Sequence, residues 1–215
     1  MPRVSDADRR LIKAAQDMLQ HSGLNAMNLR KVAAKAGVNL GMFHYHFKSK
    51  DKFTRAVLQD TYERFFREFS LETTGNGPAG EKLRSALLTL GRFVGANRRM
   101  LLGILQDLLN KDMVALDFVK ANAPRHGLVI LGLVRQCQKE GSLRKMAFPA
   151  LMPMLMGASL FPLIMVAMLE HLEVKRIGFI PFAILKSAVA SDKALKNRVD
   201  LVLESLAPKK KVSKP

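Results

Sequence analysis

From Leu11 to Leu206 apolar residues return every three or four positions in almost every long stretch, and no extended run alternates apolar with polar between turn signals. The first spacing is that of one face of an α-helix and the second would be that of a half-buried strand. The chain is therefore expected to be all-α. Leu11, Ile12, Ala15, Met18 and Leu19 form a first stripe. After a break at residues 21–26, which contains Gly23 and Asn25, Leu29, Val32, Ala33 and Ala36 form a second. Asn28 stands where an N-cap is needed, and Gly37 suits the left-handed position just past the helix end. Val38 and Asn39 then link to a third short helix over residues 40–47. Ser49 is placed to cap a fourth, which starts at Lys50 and carries Phe53, Val57, Leu58, Tyr62, Phe65, Phe66 and Phe69 along one side.

Two short helices joined by a Gly-containing turn make a helix-turn-helix. If Val38, Phe43 and Phe47 pack inward, then Leu40, Gly41, Met42, His44, Tyr45 and His46 are left on the outer side of the third helix. Imidazoles and a phenol hydrogen-bond phosphates and base edges, and the start of such a helix enters a major groove about 12 Å wide. Asn28, Arg30 and Asn39, at the ends of the two helices, complete the candidate DNA-contacting set. Lys50 joins them because an ammonium beside the free N–H groups of a helix start suits a backbone phosphate. The charge agrees: 35 Lys and Arg against 18 Asp and Glu give +17, which points to a polyanion, either nucleic acid or an anionic membrane surface.

The run from Leu29 to Lys50, with its Ala36-Gly37-Val38 turn, Gly41, the cluster Phe43, Tyr45, His46 and Phe47, and Lys50 after Ser49, resembles the DNA-binding segment of the tetracycline-repressor (TetR) family. The likeness spans residues 9–57. The family usually carries Ser or Thr at Asn39, Thr, Ser or Ala at Met42, Leu at Phe43 and Tyr at His44. Loss of hydroxyls at Met42 and His44 points to an operator preference of its own. The resemblance implies a homodimeric regulator, a repressor by default, that binds a pseudo-palindromic operator, and the charged residues 1–10 without an apolar signal stretch make the cytoplasm its expected place. It also implies a C-terminal helical domain that encloses an effector cavity and dimerises through its last two long helices.

On this reading residues 1–50 are the helix-turn-helix domain, 51–207 the ligand-binding and dimerisation domain, and 208–215 a disordered basic tail. Further helices are expected at 81–96, 98–110, 113–122, 124–140 and near the end, where Leu195, Val199, Val202, Leu203 and Leu206 make an apolar stripe. With Leu155, that stripe is assigned to the dimer interface, against the plainer alternative of packing on its own core. Twelve Met and twelve Phe beside no Trp fit an adaptable apolar pocket for a small hydrophobic or aromatic effector. Phe66, Phe93, Asn97, Gln106, His126 and Met156 are its candidate lining.

Residues 147–169 hold no charge over 23 positions, long enough for a membrane span of about 20 residues. Pro149, Pro153 and Pro162 within it, and the charged or polar residues crowding its ends, favour a buried core helix and no membrane partner. Gly75 to Gly80 matches a dinucleotide fingerprint, but no strand precedes it, so a link between helices is expected. One cysteine, Cys137, excludes an intramolecular disulfide and suits a reducing interior. His44 and His46, two apart, face different sides of a helix and cannot share a metal. With no nucleophile elbow or P-loop, neither an enzyme nor a bound metal or cofactor is expected.

Overall fold

The computed structural model describes residues 6–22 and 27–208. Of the break expected at residues 21–26 and the basic tail expected at 208–215, residues 23–26 and 209–215 lie outside them, and the first helix runs on through residue 22. Along the described residues run α1 (Asp6–Ser22), α2 (Leu29–Ala36), α3 (Leu40–Phe47), α4 (Lys50–Thr73), α5 (Ala79–Ala96), α6 (Arg98–Leu109), α7 (Met113–Glu140) and α8 (Phe148–His171). A hairpin follows, of β1 (Arg176–Ile177) and β2 (Ile180–Pro181), and then α9 (Phe182–Ala190) and α10 (Asp192–Leu206). The fold is all-α apart from that hairpin. The chain divides into two compact units, one of residues up to 66 with 96–124, the other of 67–95 with 125 onward.

In the first unit, α1 turns Leu11, Ala15 and Leu19 inward, where they meet a core that includes Val32 and Ala33 of α2 and Phe43 of α3. Phe53, Val57, Leu58 and Tyr62 supply the share of α4 in that core. Polar bonds fix the helices within it. Gln16 donates to the Asp60 carboxylate at 2.7 Å, joining α1 to α4. Gln59 and Asn122 exchange amide hydrogen bonds at 3.2 and 3.0 Å, and the Tyr62 hydroxyl donates to the Asn122 carbonyl at 2.7 Å.

The second unit is built on Leu83, Leu87 and Leu90 of α5, Ile130 and Val134 of α7, the inner faces of α8 and α10, and the buried Cys137. Arg84 holds Asp200 with two hydrogen bonds of 2.6 and 2.9 Å, tying α5 to α10. Gly91 is needed for the same packing: a Cβ there would lie 2.6 Å from Leu195 Cδ1.

Three expectations are corrected here. The helices expected at 113–122 and 124–140 are one, running through Pro124. The long apolar segment is one helix, as expected, and runs through Pro153 and Pro162. Each internal proline costs about 3 kcal/mol, whereas burying each of Leu151, Leu155, Leu163 and Val166 returns about 1.5–3 kcal/mol, so packing outweighs the interruption. That helix is not buried all round, however, because Met154, Phe161 and Met168 stand exposed along its outer side. Third, the hairpin and α9 were not anticipated. The link at residues 74–78 between α4 and α5 is as expected.

Candidate nucleic-acid interface

The turn between α2 and α3 is specified locally. Asn28 caps α2, its Oδ1 accepting from the N–H groups of Arg30 at 2.9 Å and Lys31 at 3.3 Å. At the other end Gly37 takes φ 61°. The Gly37 N–H donates to the Ala34 carbonyl and the Val38 N–H to the Ala33 carbonyl, at 3.1 and 3.0 Å, the paired bonds of a Schellman end. Two residues later Asn39 caps α3 by accepting from the Gly41 N–H at 2.8 Å.

Aromatic packing sets the rotation of α3. Phe43 is fully buried and meets Phe53 edge-on, with ring centroids 5.0 Å apart, while Phe47 lies 4.8 Å from the same ring. Met42, His44 and Tyr45 are thereby left outside, Tyr45 with 78% of its surface exposed. Gly41, Arg30, Asn28 and Asn39 are also exposed, and Leu40 is half-buried. His46 departs from the expected face. Three residues beyond Phe43, it lies on the inner side of the helix, its Nδ1 2.9 Å from the Asp8 carboxylate of α1. Sequence reasoning missed Asp8, because nothing in a lone acidic residue of an amphipathic helix names a partner 38 positions away.

Between α3 and α4 the Ser49 N–H donates to the Phe47 carbonyl at 2.6 Å, with Lys48 at φ 62° and ψ −39°. This is a γ-turn of the rare positive-φ kind. Ser49 then caps α4 as expected, its Oγ accepting from the Lys52 N–H at 3.2 Å. Lys50 is exposed and borders a cleft of about 200 Å³ that Asp107 and Asp112 also line. Burial, helped by the Asp112 charge, pushes the Asp107 carboxyl up, and the Lys50 ammonium opposes the shift. The first unit thus presents an outer face with a phenol, an imidazole and a thioether on one short helix and an ammonium at the next helix start.

Residues 11–57 match the model of the tetR family of bacterial regulatory proteins. Over 137 residues the chain is 27% identical to the HTH-type transcriptional repressor KstR2 of Mycolicibacterium smegmatis, a match that takes in 62% of this chain and 66%, just under two thirds, of that protein. Residues 11–57 are thus similar to the tetR-family segment. The fold of the chain extends the likeness beyond the matched segment. A protein assigned to the TetR-family regulators of a Rhodococcus species superposes with a TM-score of 0.69 at 16% identity, covering 94% of this chain and 99% of that one. The regulator FadR of Bacillus subtilis, solved with stearoyl-CoA, superposes with a TM-score of 0.66 at 16% identity, covering 93% and 97%.

The other predicted residues fall less tidily. Of the effector candidates, Phe66, Asn97 and Gln106 belong to the first unit and Phe93, His126 and Met156 to the second, so neither unit alone holds the set. All six are half-buried. Phe66 stacks on Tyr62 at 5.8 Å, and His126 meets Phe69 edge-on at 6.3 Å. The dimer candidates require a correction. Leu155, Leu195, Val199, Val202 and Leu206 are buried within the chain's own second unit, and Leu203 is half-buried. The stripe faces α5 and α8 of its own chain, with Leu203 of this set still partly open.

Proposed function

We propose that this protein is a homodimeric, sequence-specific transcriptional regulator of the cytoplasm, a repressor released from a pseudo-palindromic operator by a small hydrophobic ligand. The observation that carries the reading is the rigid α2–α3 pair, whose caps and aromatic anchors leave Met42, His44 and Tyr45 outward beside Lys50. Two such helices in one dimer would sit about 34 Å apart, in successive major grooves. Tyr45 and His44 would touch base edges or phosphates, Lys50 a phosphate, and Asn28, Arg30, Asn39, Leu40 and Gly41 would set the approach of the backbone. His46 would act from behind, holding α3 to α1.

Repression is supported by the likeness to a repressor, and a ligand with a long apolar part by the fold likeness to a regulator solved with stearoyl-CoA. The dimer contact is reassigned to the outer side of α8. Met154, Phe161 and Met168 recur there every seven residues and are 42%, 62% and 37% exposed, the spacing of a helix seam. That helix is also long and apolar enough to cross a membrane, with 33% of its most apolar window buried. A seam on one side and a packed core face on the other favour a partner helix over lipid.

Selection from random duplex DNA at about 150 mM salt tests the reading. Enrichment of a two-fold-symmetric motif is expected. Tight, salt-sensitive binding without enrichment would instead make the protein a general DNA-compacting one. Lys50→Ala should weaken all sequences alike and flatten the salt slope by about one; a sequence-dependent loss would remove Lys50 from the phosphate role.

A further inference from the structure

The second unit carries an open groove of about 660 Å³ between the last turns of α7 and the segment that leads into α8. Arg135, Gln138, Lys139, Lys145, Met146 and Ala147 line it, three cations with no carboxylate. Some cations of this unit have a carboxylate close by: Arg84 lies 2.6 Å from Asp200, Arg92 2.8 Å from Asp192 and Lys186 2.6 Å from Glu170. Among the described residues no ion pair involves Arg135, Lys139 or Lys145. The nearest carboxylate in sequence, Glu140, is engaged elsewhere, accepting from the Ala79 N–H at 3.2 Å and from Gln136 at 2.9 Å. Arg135 and Lys139, one helical turn apart, therefore repel without a counter-charge.

The groove is also held in shape. Gln138 Nε2 donates to the carbonyls of both Arg144 and Met146, at 3.0 and 2.8 Å, which fastens the segment bearing Lys145 to α7. The Arg144 N–H donates to the Leu206 carbonyl at 2.9 Å and its guanidinium to the Ser205 carbonyl, anchoring the same segment to the end of α10. A fixed set of three unmatched cations suits a group with several negative charges and many acceptor oxygens. The exposed Met146 and Ala147 offer apolar surface beside them, and the volume lies within the range of small-molecule sites.

We propose that this groove binds a small organic phosphate, with Arg135, Lys139 and Lys145 on the phosphates and the organic part on Met146. The proposal goes beyond the DNA reading, and its main test needs no DNA. Titration calorimetry of the full chain uses adenosine diphosphate as the probe, with pyrophosphate and adenosine alongside. Adenosine diphosphate should bind more tightly than either. The double variant Arg135→Glu, Lys139→Glu should bind it at least about tenfold more weakly, since charge-assisted bonds to phosphate are lost. Lys145→Ala should weaken it severalfold and stand in if the double variant does not fold, and Lys193→Ala on α10 should leave it unchanged. Lack of adenosine diphosphate binding, or binding indifferent to the groove variants, overturns the proposal. So does equal affinity for pyrophosphate, which would reduce the groove to an anion patch. A loss of duplex DNA affinity in the double variant, without binding of the nucleotide, would give the groove to nucleic acid and overturn it as well.

Discussion

The α2–α3 pair and the α8–α10 pair each bury an apolar helix face, yet they are specified in different ways. Around α2 and α3 nearly every determinant lies within a few residues of the bond it makes. Asn28, Gly37, Asn39 and Ser49 each satisfy backbone groups no more than four positions away. Around α8 and α10 the determinants are distant in sequence. Arg84 meets Asp200, Gly91 makes room for Leu195, and Arg198 donates to the carbonyls of Ala158 and Val189. A locally written turn keeps its geometry while its outer face is free to contact a partner, whereas a helix placed by distant contacts has its face chosen by the fold.

The largest effect should come from α10. Leu195→Ala, which removes a buried side chain of the second unit, is expected to cost about 2–5 kcal/mol of stability in a denaturant titration. Near-neutral behaviour would restore Leu195 to a dimer surface and reverse the contrast. Next is the outer face of α3. Tyr45→Ala should reduce specific operator affinity by about 1–3 kcal/mol with the melting temperature and oligomeric state unchanged, because the ring is exposed. Equal operator affinity for this variant would remove Tyr45 from the interface.

Gly37→Ala should cost about 1–2 kcal/mol through the left-handed conformation at that site, where a Cβ meets no atom within 4 Å. A smaller loss would mean that the turn is less locally determined than its caps indicate. Lys48→Gly works in the opposite direction. At φ 62° glycine relieves strain, and thermal unfolding should show a gain of up to about 1 kcal/mol. No gain would place the determinants of this turn outside Lys48.

The smallest effect belongs to the ion pairs of α10. Hydrogen bonds from Arg92 and then Lys196 hold the Asp192 carboxyl down to about 2. With the folded value below the ordinary carboxylate value of about 3.9, the contribution is present above that pH and is lost as pH falls toward the folded value. Because both partners are about half exposed, it is worth at most about 1 kcal/mol. Comparing Asp192→Asn with the parent should show a difference at pH 6 that closes by about pH 2; a constant difference would assign the effect to something other than this charge.

Much of the recognition face was legible in advance for the same local reasons. Periodicity placed α1 to α4, the caps placed their ends, and the aromatic spacing turned Phe43 inward. His46 was misplaced because spacing put it outward with its neighbours, while its position one turn from Phe43 carries it toward Asp8. The hairpin before α9 carried one local signal, Gly178-Phe179 as a Gly-X turn between Ile177 and Ile180. Pro124 of α7 misled in the other direction, because a local rule about helix breaking says nothing of the burial that overcomes it.

By itself the sequence determined the all-α class, the helix-turn-helix, its turn and caps, and the basic character of the chain. Each of these depends on interactions between near neighbours or on composition. Only the tertiary structure decided which side of α8 and α10 is core, which helices run on through proline, and which cations are left without a carboxylate. An apolar stripe states that a helix has a face to bury, but the partner that covers it is chosen by contacts many residues away.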